Sequence, residues 1–290
     1  MQAFAAPDSV ASGTGDLQFT NVRGRLRPGF GGQGVTALTR ASATSPLKLL
    51  NPRNAGASAW VYLATYGGGL VGGDALSVRV AVGAGAAALV ATQASTKVYR
   101  SELGASQRLH ACVDGDSLLV LLPDPVTCFA GSRYTQQQQV HMGAAANLVM
   151  VDWLTAGRVG SGERWQFDSY RSQTRVWRGD RLILHDGLVL TPRDGELASR
   201  MDRFNCFASA VLSGPALETT AARLTGSLGS ASASRRPDLL LSAAPLGRCG
   251  DDGVVLRAAG LSVEQVAGAL RQYLAVVPAL LGDDPWACRW

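Results

Sequence analysis

The chain has 290 residues, of which 47% are hydrophobic and 17% charged, and its formal net charge is +5. This composition supports a sizeable core and excludes an intrinsically disordered protein. Its basic residues are almost all arginines that are spread along the chain, with Lys48 and Lys97 as the only lysines. Because no basic run is present, we expect no nucleic-acid partner. The 34 glycines exceed the roughly 20 of average usage and favour short strands joined by turns.

The cysteines and the start of the chain bear on its compartment. Five cysteines, without a C-x-x-C pair, predict neither a disulfide framework nor a zinc site. The first residues have no basic segment followed by an apolar one, so they do not form a secretory signal. No apolar run reaches the ~18 residues that span a membrane. We therefore expect a cytoplasmic protein without a membrane partner.

Small and polar residues dominate the beginning of the chain, and we interpret residues 1–16 as a disordered leader. Residues 17–290 are predicted to form a single domain. Within it, residues 17–213 show the patterns of strands and residues 214–290 show a mixture of helices and strands. The predicted fold class is mainly β, with a helix–strand–strand–helix element at the C-terminal end.

The β-rich region shows two kinds of strand pattern. Residues 76–82 alternate between apolar and polar, which predicts a half-buried strand, whereas 118-LLVLL-122 and 148-LVMV-151 predict strands that are buried on both faces. Residues 174–184 predict a hairpin around a glycine-containing loop, and Asp186–Gly187 predicts a turn.

The last third of the chain changes to helical periodicity. Leucines and an alanine recur on one face of residues 217–228, and Ser262 and Gln265 have the spacing of a capping box at the start of a second helix. Between the helices we predict a connector at residues 230–236 and strands at residues 238–243 and 253–260.

The stretch 66-YGGGLVGGD-74 fits the G-x-G-x-x-G spacing of a dinucleotide-binding loop at Gly67, Gly69 and Gly72. That loop also requires a helix at its third glycine and an acidic residue about 20 positions later. An alternating strand pattern follows instead, and residues 85–95 contain no Asp or Glu. We therefore interpret these glycines as a crossing between strands that needs positive φ and close backbone approach.

Several polar residues interrupt strand-like apolar surroundings. A carboxylate in such a place is costly unless it is paired or binds a metal. Each of these residues could have a structural role, as the cap of a turn or as a partner in a salt bridge. As a group, however, they indicate a polar interior path or a functional surface, and both interpretations stay open. The three histidines are few for a hydrolase or a metalloenzyme, and we interpret them as structural strand residues. The polar residues are Asp74, Gln93, Thr96, Lys97, Asp152, Glu163 and Asp186.

Five segments of the chain resemble the UreD family of urease accessory proteins, also called UreH. Their order and spacing agree with the family from about Arg23 to Trp290, which is nearly the whole chain. The segments are 67-GGGLVGGD-74, 92-TQASTKVYRS-101, 121-LLPDPVTCFAGS-132, 156-AGRVGSGERW-165 and 280-LLGDDPWACRW-290.

The resemblance implies a non-enzymatic scaffold with a coiled, β-helix-like stack of strands and a few helices. Such proteins bind a UreF-type accessory protein, which recruits a UreG-type GTPase, and they dock this complex on apo-urease. They pass Ni²⁺ through an internal tunnel during assembly of the urease metal centre. No cofactor is expected to stay bound, and GTP belongs to the UreG-type partner.

The resemblance also implies roles for the polar residues. It places Asp74, Asp152, Asp186 and Glu163 on the metal transit path. Thr96, Lys97 and Gln93 line the tunnel or are structural. Carboxylates and water release a hydrated divalent ion more readily than a cage of imidazole and thiolate, so oxygen ligands suit transit. Two positions depart from the pattern: Asp186 stands where relatives can have glutamate, and Asp124 lies in a motif whose polar position varies, so Asp124 receives no role.

One alternative comes from a different functional class. A carboxylate such as Asp74 or Glu163, together with Lys97, could act as acid and base in a small-molecule enzyme on a β-rich fold. Buried carboxylates close to a lysine often have the perturbed pKa values that such catalysis uses.

Overall fold

The computed structural model describes residues 11–22, 34–228, 237–247 and 252–287. Its strands, numbered in chain order, are β1 (Gly13–Val22), β2 (Val35–Ala43), β3 (Leu47–Leu50), β4 (Ala59–Thr65), β5 (Ala75–Val82), β6 (Ala87–Thr92), β7 (Thr96–Val98), β8 (Ala105–Val113), β9 (Leu118–Leu122), β10 (Val126–Cys128), β11 (Arg133–Met142), β12 (Asn147–Thr155), β13 (Ser169–Arg178), β14 (Arg181–Leu190), β15 (Cys206–Ser213), β16 (Leu239–Leu246) and β17 (Gly253–Gly260). Its α-helices are α1 (Leu197–Arg200), α2 (Glu218–Leu228), α3 (Val263–Tyr273) and α4 (Val277–Leu281).

The strands form two sheets that the chain visits in turn. The outer sheet has seven strands in the order β14-β13-β11-β8-β5-β1-β2. The central sheet has ten, eight of them in the order β16-β17-β15-β12-β9-β6-β4-β3, with β7 and β10 beside this path. From β5 to β13 the chain alternates between the sheets and pairs each strand in parallel with the one from the previous turn. This coil confirms the predicted mainly β, β-helix-like stack.

The central sheet is buried on both faces. One core lies between the two sheets and includes Val80, Leu119 and Met150. A second core lies between the central sheet and the C-terminal helices and includes Trp153 and Leu270. Such burial explains the continuous apolar runs of β9 and of residues 148–151 in β12, while β5 alternates because its other face belongs to the surface of the outer sheet.

The C-terminal part confirms the predicted helix–strand–strand–helix order. β17 pairs with β15 and β16 pairs with β17, which extends the central sheet, and α2 and α3 contact this part of the sheet. Helix α3 begins with the predicted capping box. Ser262 Oγ accepts the Gln265 N–H at 3.3 Å, and Gln265 Oε1 accepts the Leu261 N–H at 3.1 Å.

Two boundaries differ from the prediction. The leader was expected to extend to residue 16, but β1 begins at Gly13 because residues 13–16 pair with β5, and Gly15 and Asp16 also pair with β2. Asp186–Gly187 was expected to be a turn, but it lies within β14, where Asp186 pairs with Thr174. The predicted connector at residues 230–236, like residues 1–10 of the leader, lies outside the described residues. In the described ranges, helices are too short or too polar to span a bilayer.

Candidate functional site

Polar side chains form a row on the inner face of the outer sheet. Gln107 of β8, Gln136 of β11 and Ser172 of β13 are register partners on adjacent strands. The next row contains Gln138 of β11 and Thr174 of β13, and it ends at Asp186 on the edge strand. Gln136, Gln138, Ser172 and Thr174 are buried. These two rows are called the polar ladder, and they cross the interior perpendicular to the strands.

Three cavities follow the polar ladder between the sheets. The glycine-side cavity, of about 100 Å³, is lined by Gly68, Gln93, Thr96 and Gln107. It shares Thr96 and Gln107 with a middle cavity of about 40 Å³, which also contacts Gln136 and Asp152. The Asp186-side cavity, of about 640 Å³, is lined by Asp152, Ser172, Thr174, Asp186 and Arg257, among others. Neighbouring cavities share lining residues, so the three lie side by side between the glycine turn and β14, and we call this series of cavities the polar path.

Asp152 is the carboxylate at the centre of this path. It lies on β12, faces the outer sheet, and lines both the middle and the Asp186-side cavity. Gln136 Nε2 donates to Asp152 Oδ1 at 2.9 Å, and Ser172 Oγ donates to Oδ2 at 2.8 Å. Desolvation raises the pKa of Asp152, the two hydrogen bonds oppose this effect, and the nearby Asp186 adds a smaller increase.

The hydrogen bonds continue from Asp152 toward the glycine-side cavity. The Tyr134 hydroxyl lies 3.2 Å from Gln136 Oε1 and 3.1 Å from Gln107 Oε1, and its single proton is shared between these two acceptors. Burial raises the pKa of Tyr134 well above its usual value, so this hydroxyl keeps its proton and remains a donor. Donation to Gln136 Oε1 favours the amide orientation in which Gln136 points its NH₂ group at Asp152.

Asp186 lies at the far end of the path. Its Oδ1 accepts a hydrogen bond from Arg257 Nη2 of β17 at 3.0 Å, and the side chain is 33% exposed. This ion pair joins the edge strand of the outer sheet to the central sheet across the Asp186-side cavity. Asp152 and Asp186 are the two carboxylates among the residues that line this cavity.

The structure also places Asp124 on the path, although no role was predicted for it. Asp124 is 6% exposed and lines the middle cavity. Thr92 Oγ1 accepts the Asp124 N–H at 2.6 Å and donates to Asp124 Oδ2 at 3.1 Å. A third carboxylate therefore lies in the same narrow section as Asp152.

Three of the predicted site residues line none of these three cavities. Asp74 caps a turn, since its Oδ2 accepts the Val71 N–H at 2.8 Å. Glu163 forms an ion pair with Arg158 and accepts the Ala130 N–H at 3.1 Å, and these contacts lower its pKa. Lys97 is exposed on β7. Within the described ranges no salt bridge joins Lys97 to either carboxylate.

The glycine stretch borders the glycine-side cavity and has the predicted structural role. Gly67 and Gly68 adopt positive φ, and β5 follows at Ala75 without a helix. A Cβ on Gly69 would lie 2.7 Å from the Lys97 carbonyl oxygen, so Gly69 permits close approach to β7, the strand that carries Thr96. These glycines position one wall of the path and form no dinucleotide loop.

Most of the polar ladder was missed in the sequence, although a signal was present. In 133-RYTQQQQVHM-142, Tyr134, Val140 and Met142 define an apolar face that also contains Gln136 and Gln138. Strict period two therefore puts two amides on a core-facing side. The same pattern in β13 puts Ser172 on the face of Tyr170.

The path presents oxygen atoms from carboxylates, hydroxyls and amides. In the described part of the chain, no group of three or more His, Cys, Asp or Glu residues is arranged to hold a metal ion. Scattered oxygen ligands suit a hydrated divalent cation that is held weakly, whereas tight binding of Ni²⁺ uses imidazole or thiolate.

Comparisons with known proteins agree with one another. A family model described as UreD urease accessory protein matches residues 22–290. Urease accessory protein UreD of Sorangium cellulosum is 50% identical over 279 residues, covering 96% of this chain and 85% of that protein. Urease accessory protein UreD of Anaeromyxobacter sp. is 43% identical, covering 88% and 85%. Urease accessory protein D of Oryza sativa subsp. indica is 38% identical and covers 99% of both chains.

Proposed function

Because the chain belongs to the UreD family of urease accessory proteins, we propose that it passes Ni²⁺ along the polar path to apo-urease. The observation that carries this proposal is the path itself. Polar oxygen atoms cross the interior between two apolar sheets, through cavities that share lining residues. Burying such polar groups is unfavourable unless they are hydrogen-bonded, a cost that an apolar core would not carry.

We further propose that the chain acts as a non-enzymatic scaffold in the cytoplasm. Its partners would be a UreF-type accessory protein, a UreG-type GTPase recruited through it, and apo-urease. The family membership supports this assignment, as do the separate structural roles of Asp74 and Glu163, the carboxylates of the enzymatic alternative. Ni²⁺ is cargo in this scheme, and GTP hydrolysis belongs to the GTPase.

The proposal is tested with Asp152→Asn and Asp186→Asn, which remove the charge and keep the side-chain volume. Each variant is co-expressed with the UreF-type protein, the UreG-type protein and apo-urease, and both complex recovery and nickel-dependent urease activity are measured. We expect normal complexes with strongly reduced activation. Asp168→Asn is the control, because Asp168 pairs with Arg133 on the surface at 3.1 Å and lines none of the three cavities.

The two parts of the proposal fail separately. Full urease activation by both variants would exclude the polar path as the route of the ion and leave the scaffold role standing. If the unaltered chain recovers none of the three partners, the scaffold role itself is wrong.

A further inference from the structure

Among the described residues that line the three cavities, Arg257 is the one cationic side chain. It comes from β17 of the central sheet and reaches across the Asp186-side cavity to Asp186 of the outer sheet. A fixed positive charge at this place conflicts with a route for a divalent cation. A cation could pass this place only if the charge of Arg257 is neutralised or moved away.

The contact between Arg257 and Asp186 is weak enough for a cation to replace Arg257 at the Asp186 carboxylate. A single bond of 3.0 Å joins Nη2 to Oδ1, and the guanidinium side chain is 59% exposed. In the described structure no hydrogen bond reaches Asp186 Oδ2, so one carboxylate oxygen stays available to a cation. A solvent-exposed pair of this kind is worth little, because water replaces each partner when the pair opens.

Charge counting shows what the pair does to the cavity. With both carboxylates ionised, Asp152, Asp186 and Arg257 together give the lining a net charge of −1 (−1 −1 +1). When Arg257 turns outward into solvent, the lining has −2 and matches the charge of a divalent cation. The same side chain thus switches this cavity between a weak and a stronger cation site.

We propose that Arg257 is the internal counter-ion of the path: it occupies Asp186 in the absence of metal, gives way when a divalent cation arrives, and competes with that cation so that it is released. This inference rests on the proposed function, since it takes passage of a cation for granted. In this role Arg257 acts on the ion through Asp186 and does not bind the ion itself. It keeps the affinity of the path for the divalent cation low enough for onward transfer.

The test is direct Ni²⁺ binding to the full chain by equilibrium dialysis, with urease activation as a second readout. For Arg257→Gln we expect roughly two- to fivefold tighter binding, the gain expected when one solvent-exposed opposing charge is lost. We also expect slower urease activation, because the ion is retained. Arg257→Lys keeps the charge and should behave like the unaltered chain, and the double variant Arg257→Gln/Asp186→Asn should lose the gain in affinity.

Arg40→Gln is a matched control. Arg40 forms a surface ion pair with Asp16 at 3.3 Å, with side-chain exposures of 63% and 38% that resemble the 59% and 33% of the Arg257–Asp186 pair. Neither Arg40 nor Asp16 lines the path, so Ni²⁺ affinity should stay unchanged. Thermal unfolding of both variants shows whether loss of a pair alters the fold.

The outcomes separate this inference from the proposed function. Unchanged Ni²⁺ affinity in Arg257→Gln, with affinity still reduced in Asp152→Asn, would overturn the counter-ion role and leave the path intact. Binding that depends on neither Asp152 nor Asp186 would overturn the path and this inference together.

Discussion

Asp252 is a buried carboxylate, so its arginine partners are needed for the stability of the fold. Its side chain is 2% exposed and accepts hydrogen bonds from both Arg181 Nη1 and Nη2 at 2.6 Å, while Arg178 Nε lies 3.9 Å away. Among the described residues, Asp252→Ala leaves the partly buried Arg178 without an acidic partner. We expect it to lower the free energy of unfolding by about 3–5 kcal/mol, measured by urea denaturation. Asp168→Ala, in an exposed pair, should cost less than about 1 kcal/mol, and equal losses would contradict the argument.

Glu163 makes a prediction about pH. Hydrogen bonding to Arg158, then to the Ala130 N–H, lowers its pKa from the ordinary 4.5. A carboxylate whose pKa is lower in the folded state stabilises the fold above its unfolded pKa, and this contribution is lost as pH falls through the folded pKa. The unfolding temperature of the unaltered chain should therefore exceed that of Glu163→Gln above pH 4.5, and the difference should shrink below it. A difference that does not depend on pH would assign the effect to packing.

Only some of the candidate site residues could be identified correctly from the sequence alone. Asp152 and Asp186 were found because carboxylates interrupt apolar runs, and both line the path. Asp74 and Glu163 satisfied the same criterion, yet they cap a turn and pair with an arginine. Which carboxylate faces the interior depends on pairing between strands that are distant in the chain. Arg257 lies 71 residues after Asp186, so this contact could not be predicted from local pattern.

At the scale of elements, the glycine turn and β7 are coupled by close contact. A Cβ on Gly69 would lie 2.7 Å from the Lys97 carbonyl oxygen and 2.7 Å from the Tyr99 ring. Gly69→Ala should therefore destabilise the chain by about 1–3 kcal/mol, as overpacking does, and shift β7 with Thr96. Gly67→Asn should have a small effect, because Gly67 has φ of 82° with open space around it and Asn tolerates this conformation. Thermal unfolding of both variants checks this difference, and a larger loss for Gly67→Asn would refute it.

Elements were easier to predict from the sequence than their arrangement. β9 is fully apolar, β5 alternates and α3 starts at a capping box, and each of these is a local pattern. The division of strands between two sheets is not local. It arises because successive turns of the coil stack in parallel, so β5 pairs with β8 and β6 with β9. The polar path is a consequence of this stacking, since Gln107, Gln136 and Ser172 belong to three different turns.

At the scale of the whole molecule, exposed apolar side chains surround the glycine end of the path. Leu103 is 84% exposed, Tyr66 61% and Val71 55%. They lie around the glycine turn, since a Cβ on Gly72 would be 3.7 Å from the Leu103 Cβ, and Gly68 lines the glycine-side cavity. Clustered apolar side chains at a surface commonly mark a protein interface. We therefore expect a partner protein to cover this end of the path.

Leu103→Asp tests this expectation. A charge at the centre of an apolar contact should weaken the interface by at least about tenfold, because the carboxylate loses its hydration without gaining a partner. The measurement is recovery of the UreF-type protein and of apo-urease with the tagged chain, and we expect one of them to be lost. Val159→Asp is the control, since Val159 is 45% exposed on a separate turn beside Arg158. The unfolding temperature should be unchanged in both, because neither side chain is packed in a core. Normal recovery of both partners with Leu103→Asp would leave the glycine end of the path open to solvent, and the ion could then enter or leave there without a protein contact.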